Sequence, residues 1–283
     1  MCIAFFTTTQ PGFKLIIASN RDEFYDRPAT PAAWHTFGRD SPEGSREFLS
    51  GQDLAAAGGG TWLGMTKDLR IGLITNIRDP SISPAAAAIR RPGAPSRGQL
   101  LRGFLEAPPS SDPIRAFMDA TSNSADYDGF NLLLFHVKQD GAEVGHVSNR
   151  PEVRAEILDD KSRGAHGISN TPIEKPWPKV VDGEKGMGET LAEWGKAGEG
   201  EDELVQRLFR LLRRSTEIKS IADAPQCTCI PPVILSDSWY GTRVSTVILV
   251  SDKDEVTFVE RDIGGLVDGE GTFLKSDNRV FRF

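Results

Sequence analysis

The chain opens on two apolar runs of strand length. Cys2-Ile3-Ala4-Phe5-Phe6 and Phe13-Lys14-Leu15-Ile16-Ile17-Ala18-Ser19 are joined by Thr8-Thr9-Gln10-Pro11-Gly12, turn chemistry that predicts an antiparallel hairpin. The end of the second run, Asn20-Arg21-Asp22-Glu23, then returns to the level of Cys2. Glycine-broken strands are predicted over 54–57, 61–65 and 71–76, and a second hairpin joins 130–135 to 143–147 around Gln139-Asp140-Gly141. Residues 243–250 and 255–261, linked by Ser251-Asp252-Lys253-Asp254, make the clearest hairpin.

Helical signals are fewer. One helix is expected over 98–106 behind a Ser96 cap, and another over 112–121 opening on Asp112-Pro113. Helical spacing recurs over 179–194 and 201–214, where Leu204, Leu208, Leu211 and Leu212 share a face and Arg207, Arg210, Arg213 and Arg214 form its solvated side. The proline-rich stretches 24–50, holding Trp34 and His35, and 80–97 read as loops, and Pro172 ends a strand over 167–172. Strands, helices, strands, helices and strands in that order, with hairpins in place of βαβ crossovers, predict an α+β fold of antiparallel sheets with helices on their outer faces. The same grammar on both sides of 80–97 makes 1–283 one domain.

Composition narrows the function. The 283 residues are 39% hydrophobic and 26% charged, with a net charge of −7 that argues against a general nucleic-acid binder. No apolar stretch reaches the roughly eighteen residues of a membrane span, and Gln10-Pro11-Gly12 interrupts any signal peptide. Three cysteines (Cys2, Cys227, Cys229) give no disulfide framework, which suits a reducing, cytoplasmic setting. Cys227-Thr228-Cys229 and four scattered histidines match no metal-ligand spacing, and no cofactor is implied. The glycine run 58–60 lacks the Lys-Ser/Thr and helix start of a phosphate cradle. It reads instead as bare backbone beside Trp62, which is expected to wall a pocket near Cys2.

Cys2 carries the chemistry. Once the initiator methionine is trimmed, it holds a thiol near pKa ~8.5 and an α-amine near ~7.7–8.0 on one residue, a nucleophile that carries its own base. Arg21 beside the thiol favours thiolate, and a carboxylate beside the amine orients it. The plainer alternative is a small buried cysteine opening a strand whose end carries an exposed ion pair.

These residues resemble the NRDE, or transport and Golgi organisation 2, family. The resemblance runs from Asn20-Arg21-Asp22-Glu23 through Gly59-Gly60-Thr61-Trp62-Leu63-Gly64, Thr75-Asn76, Ser96-Arg97-Gly98, Gly129-Phe130-Asn131-Leu132, Gly167-Ile168-Ser169-Asn170 and Pro176-Trp177-Pro178-Lys179. It ends at Tyr240-Gly241-Thr242-Arg243-Val244-Ser245-Thr246-Val247 and so covers nearly the whole chain. That family is similar to the N-terminal nucleophile (Ntn) hydrolases, which implies an αββα sandwich of two mainly antiparallel sheets. The penicillin V acylase and conjugated bile acid hydrolase branch implies catalytic roles at Cys2, Arg21, Asp22, Asn76, Asn170 and Arg243, with Asn20, Glu23 and Trp62 as binding residues. In that branch two residues separate the Arg from the Asp, whereas Asp22 follows Arg21 directly, so Asp22 and Glu23 compete to hold the amine. The resemblance implies a cysteine hydrolase or acyltransferase acting on non-peptide amides or thioesters. The alternative is a non-catalytic protein that handles an acyl-lipid or haem-like ligand in the same pocket. It also implies Golgi organisation and protein secretion, peripheral membrane contact, and a cytoplasmic place with Golgi or mitochondrial association.

Overall fold

Alternation and turn chemistry express themselves as sixteen strands and four α-helices among the described residues of the computed structural model, which covers 2–36, 46–55, 59–78, 93–121, 126–159, 164–216, 218 and 220–283. The chain divides into two compact units, Met1–Asp26 with Asp160–Phe283, and Arg27–Asp159.

The first unit holds a seven-stranded antiparallel sheet. Its strands are β1 (Ile3–Thr7), β2 (Phe13–Phe24), β10 (His166–Ile168), β11 (Val233–Leu235), β12 (Ser238–Ser251), β13 (Val256–Asp262) and β16 (Arg279–Arg282). They run in the order β10-β1-β2-β12-β13-β16, with β11 on the free part of β12. A small ribbon, β14 (Gly264–Val267) with β15 (Glu270–Phe273), follows β13. Helices α3 (Pro178–Ala197) and α4 (Glu201–Leu212) bury Val180, Met187, Leu204, Leu208 and Leu211 against Ile3, Phe5, Ile16, Val247 and Leu249 of the sheet. The opposite side chains, Ala4, Phe6, Leu15 and Ile17, are buried as well. That two-sided burial is why β1 and β2 read as continuous apolar runs.

The second unit is a meander. Strands β3 (Ala33–His35), β4 (Phe48–Ser50), β5 (Leu63–Thr66), β6 (Arg70–Asn76), β7 (Phe130–Lys138), β8 (Gly141–Ser148) and β9 (Arg154–Ile157) pair antiparallel in chain order. One face packs on α1 (Arg97–Glu106) and α2 (Pro113–Ala120), through Phe104 and Ile114 against Phe130, Leu132 and Val147. Asp112 caps α2 by accepting from the Arg115 N–H, and Pro113 takes its first position.

Three expectations change. Trp34 and His35 lie in β3, paired with Leu49 and Phe48, because three residues suffice to edge a meander. Leu54 and Ala55 form a turn, its reversal fixed when Asp53 Oδ1 accepts from the Ala55 N–H. Positions 56–58 and 79–92, the rest of that strand and most of the 80–97 loop, lie outside the described residues. Among the described residues no helix is long and apolar enough to cross a membrane.

Candidate active site

The register of the first sheet assembles the site. β1 and β2 pair from Ile3↔Asn20 to Thr7↔Ile16, so one further step sets Cys2 opposite Arg21. On the other flank β1 pairs with β10 at Ala4↔Ile168, and the same register carried two residues on sets Asn170 opposite Cys2. The Ser169 hydroxyl fastens that junction, donating to the Cys2 carbonyl at 2.7 Å with Asn170 Oδ1 at 3.2 Å. Asn170 and Arg21 are both almost wholly buried. Beyond Arg21 comes Val244 of β12, where the register slips between Thr242 and Val244 and leaves Arg243 as the bulged residue. Its Nη1 donates to the Phe24 carbonyl at 3.0 Å, and its own carbonyl accepts from the Ile263 N–H at 2.7 Å.

Strand alternation separates the motif residues Asn20, Arg21, Asp22 and Glu23 into two faces. Asn20 turns toward the helices. Its Nδ2 donates to the carbonyls of Leu212 and Thr228, both at 2.9 Å, and its Oδ1 accepts from Ser245 Oγ at 2.6 Å. It thereby ties β2 to the end of α4, and all three of these bonds serve the fold. Asp22 lies on the same face, where its Oδ1 accepts from Thr242 Oγ1 at 2.6 Å. Thr242 Oγ1 in turn accepts from the Ile230 N–H. Glu23, partly buried, accepts from the adjacent Phe24 N–H at 2.9 Å.

Burial sets the electrostatics. It pushes the Asp22 carboxyl above the usual range, against the chain's α-ammonium, Lys179 and the Thr242 hydroxyl, which hold it down. It also pushes up the Cys2 thiol, although the residue as a whole is only partly buried. The α-ammonium, the Asp22 backbone N–H and Arg21 favour the thiolate in that order, so the help expected from Arg21 is real and smaller than the cost of burial. Cys227 and Cys229 are buried, and the Cys229 thiol is pushed up to about 11 by burial.

The first unit therefore brings together Cys2, Arg21, Asp22, Asn170 and Arg243. Asn76 and Trp62 belong to the second unit. Asn76 is exposed at the end of β6, opposite Phe130. The Trp62 ring lies over Gly51, where a Cβ would stand 2.5 Å from it, so the glycine that makes room is Gly51 rather than the 58–60 run. Gly58 lies outside the described residues. Two residues given no role by the sequence belong to the site, Thr242 and Lys179. Lys179 is almost wholly buried, with Asp22 the strongest favourable charge on it. Its signal was a lysine directly after Pro178 at a helix start, where a cation opposes the helix dipole. Among the described residues no group of three or more His, Cys, Asp or Glu side chains could hold a metal.

The chain is similar throughout to known proteins. It is 30% identical over 279 residues to the mouse (Mus musculus) Transport and Golgi organization 2 homolog, covering 93% of each chain. It is 27% identical over 304 residues to Transport and Golgi organization protein 2 of Drosophila melanogaster, covering 98% of this chain and 96% of that one. Among solved structures, the conjugated bile acid hydrolase of Clostridium perfringens superposes with a TM-score of 0.56 at 8% identity, covering all of this chain and 97% of that one. That likeness gives the fold, an Ntn-hydrolase-like α+β arrangement of two large antiparallel sheets. The family model described as Transport and Golgi organisation 2 matches residues 1–265, and the chain belongs to that family.

Proposed function

We propose that Cys2 is an acyl-transfer nucleophile, and that the protein hydrolyses or transfers the acyl group of a non-peptide amide or thioester in a cell's Golgi organisation and secretion machinery. The observation that carries this reading is the row Asn170, Cys2, Arg21 across three adjacent strands, with Asp22 buried one residue on. Removal of Met1 frees the α-amine of Cys2. That amine takes the thiol proton as Sγ attacks the substrate carbonyl, and Asp22 holds and orients the resulting ammonium. The Asn170 amide donates to the oxyanion. The ammonium then returns the proton to the leaving amine or thiol, and water releases the acid from the thioester on Cys2. Arg21 and Arg243 offer positive charge to a substrate carboxylate or other anionic group.

Two measurements test this together. Intact mass reports whether Met1 is removed, and a panel of acyl amides and thioesters reports turnover by wild type and Cys2→Ala. Turnover that survives in Cys2→Ala refutes the reading. Asn170→Ala should lower turnover by roughly 10²–10³-fold, the effect of losing one oxyanion donor.

Burial of the Cys2 sulfur, which favours the neutral thiol, supports a second reading, a non-catalytic pocket for an acyl-lipid or haem-like ligand. Cellular rescue by Cys2→Ala would favour it.

A further inference from the structure

Lys179 is the second residue of α3, behind Pro178, and only 1% of it is exposed. A cation there is doubly disfavoured, by the positive end of the helix dipole and by loss of water. Among the described residues its Nζ has no hydrogen-bond partner, and the Trp177 ring lies with its centroid 5.5 Å away. The charges that favour it come from three elements: Asp22 of β2 first, then Cys2 before β1 and Cys227 after the short 3-10 helix Ile221–Gln226. Its seat is built into the packing. A Cβ on Gly183 would stand 2.0 Å from the Phe5 ring, and one on Gly167 would stand 2.8 Å from Val180. Helix α3 therefore lies directly on β1 and β10, and its first turn is held at the sheet end that carries Cys2 and Asp22.

We propose that Lys179 is a positioning residue of the Cys2 site: its buried ammonium is the counter-charge that keeps Asp22 an anion, ready to hold the α-amine of Cys2. This rests on reading Cys2 as the nucleophile. The other groups acting on the pair are Glu23 and the α-ammonium at Asp22, and Arg21 at Cys2. Burial alone would leave Asp22 protonated over more of the neutral range, and a protonated acid cannot accept both protons it needs from Thr242 and the amine.

The test is the pH profile of Cys2 alkylation by iodoacetamide on the full chain, read peptide by peptide with Cys227 and Cys229 as internal references. Lys179→Met removes a positive charge facing both Asp22 and the sulfur. Its alkylation midpoint should rise by about one pH unit, a roughly tenfold slower rate below the midpoint. Lys179→Arg should keep the wild-type midpoint. An unmoved midpoint in Lys179→Met, or an equal shift in Lys179→Arg, overturns the proposal. Where Lys179→Met folds poorly, the double variant Asp22→Asn/Lys179→Met decides. It should melt above the Lys179→Met single, and a double no more stable than the single overturns the proposal. Alkylation needs no substrate. A wild-type protein that turns over no acyl compound therefore fails the hydrolase reading, while a shifted midpoint still supports the Lys179–Asp22 pair.

Discussion

Replacing Asn20 by alanine tests what the first residue of the Asn-Arg-Asp-Glu motif does. Its side chain is fully buried and makes three hydrogen bonds, to the carbonyls of Leu212 and Thr228 and from the hydroxyl of Ser245. At about 1 kcal/mol net for each, the bonds are worth about 3 kcal/mol. The stranded Leu212 and Thr228 carbonyls add desolvation cost, which brings the expected loss to about 3–5 kcal/mol. Asn20→Asp should be no better, since it faces two carbonyls with an acceptor in place of a donor. Urea unfolding followed by far-UV circular dichroism reads both. A loss below about 1 kcal/mol for Asn20→Ala would refute the structural role and return Asn20 to the ligand-binding residues.

Three further outcomes follow from the packing and the charges. Gly183→Ala and Gly188→Ala make the same change in α3 with opposite results in a thermal melt. The first drives a Cβ into Phe5 and should cost about 1–3 kcal/mol, while the second meets nothing within 4 Å and should gain up to about 1 kcal/mol. Asp112→Ala removes the α2 cap and should cost about 1 kcal/mol in the same assay, with no loss counting against the capping assignment. For Asp22 the sign follows from burial: the folded carboxyl binds its proton more tightly than the unfolded one. The stability this confers is complete below the unfolded value near ~3.9 and is lost as pH rises through the raised folded value. The stability of wild type relative to Asp22→Asn should therefore fall from acid toward neutral pH, and a difference that grows with pH would contradict it.

Much of this fold was legible because it is local. The β12/β13 hairpin, the Asp112 cap and the apolar face Leu204, Leu208, Leu211, Leu212 each depend on residues a few positions apart. What stayed hidden depends on distance. The pairing of β2 with β12 joins Arg21 to Val244 across the whole second unit, and no turn signal announces it. Strands β14 to β16 are four residues each and carry too little alternation to be seen. In the site, hairpin length sufficed to bring Arg21 back to Cys2, but Asn170 arrives through β10, a strand of three residues. The roles of Asn20 and Lys179 came from the helix layer that covers them, and the rise of the Cys2 thiol came from burial, which spacing does not report.

The central claim, that Cys2 is the nucleophile, is tested most directly by trapping the acyl-enzyme. Protein is mixed with each member of an acyl amide and thioester panel, quenched in acid, digested and examined by mass spectrometry. The account predicts an acyl group of the substrate's mass on the peptide that begins at Cys2, and none on Cys227, on Cys229 or on the Cys2→Ala variant. Turnover with no acyl group on Cys2, or an adduct that persists in Cys2→Ala, would contradict it.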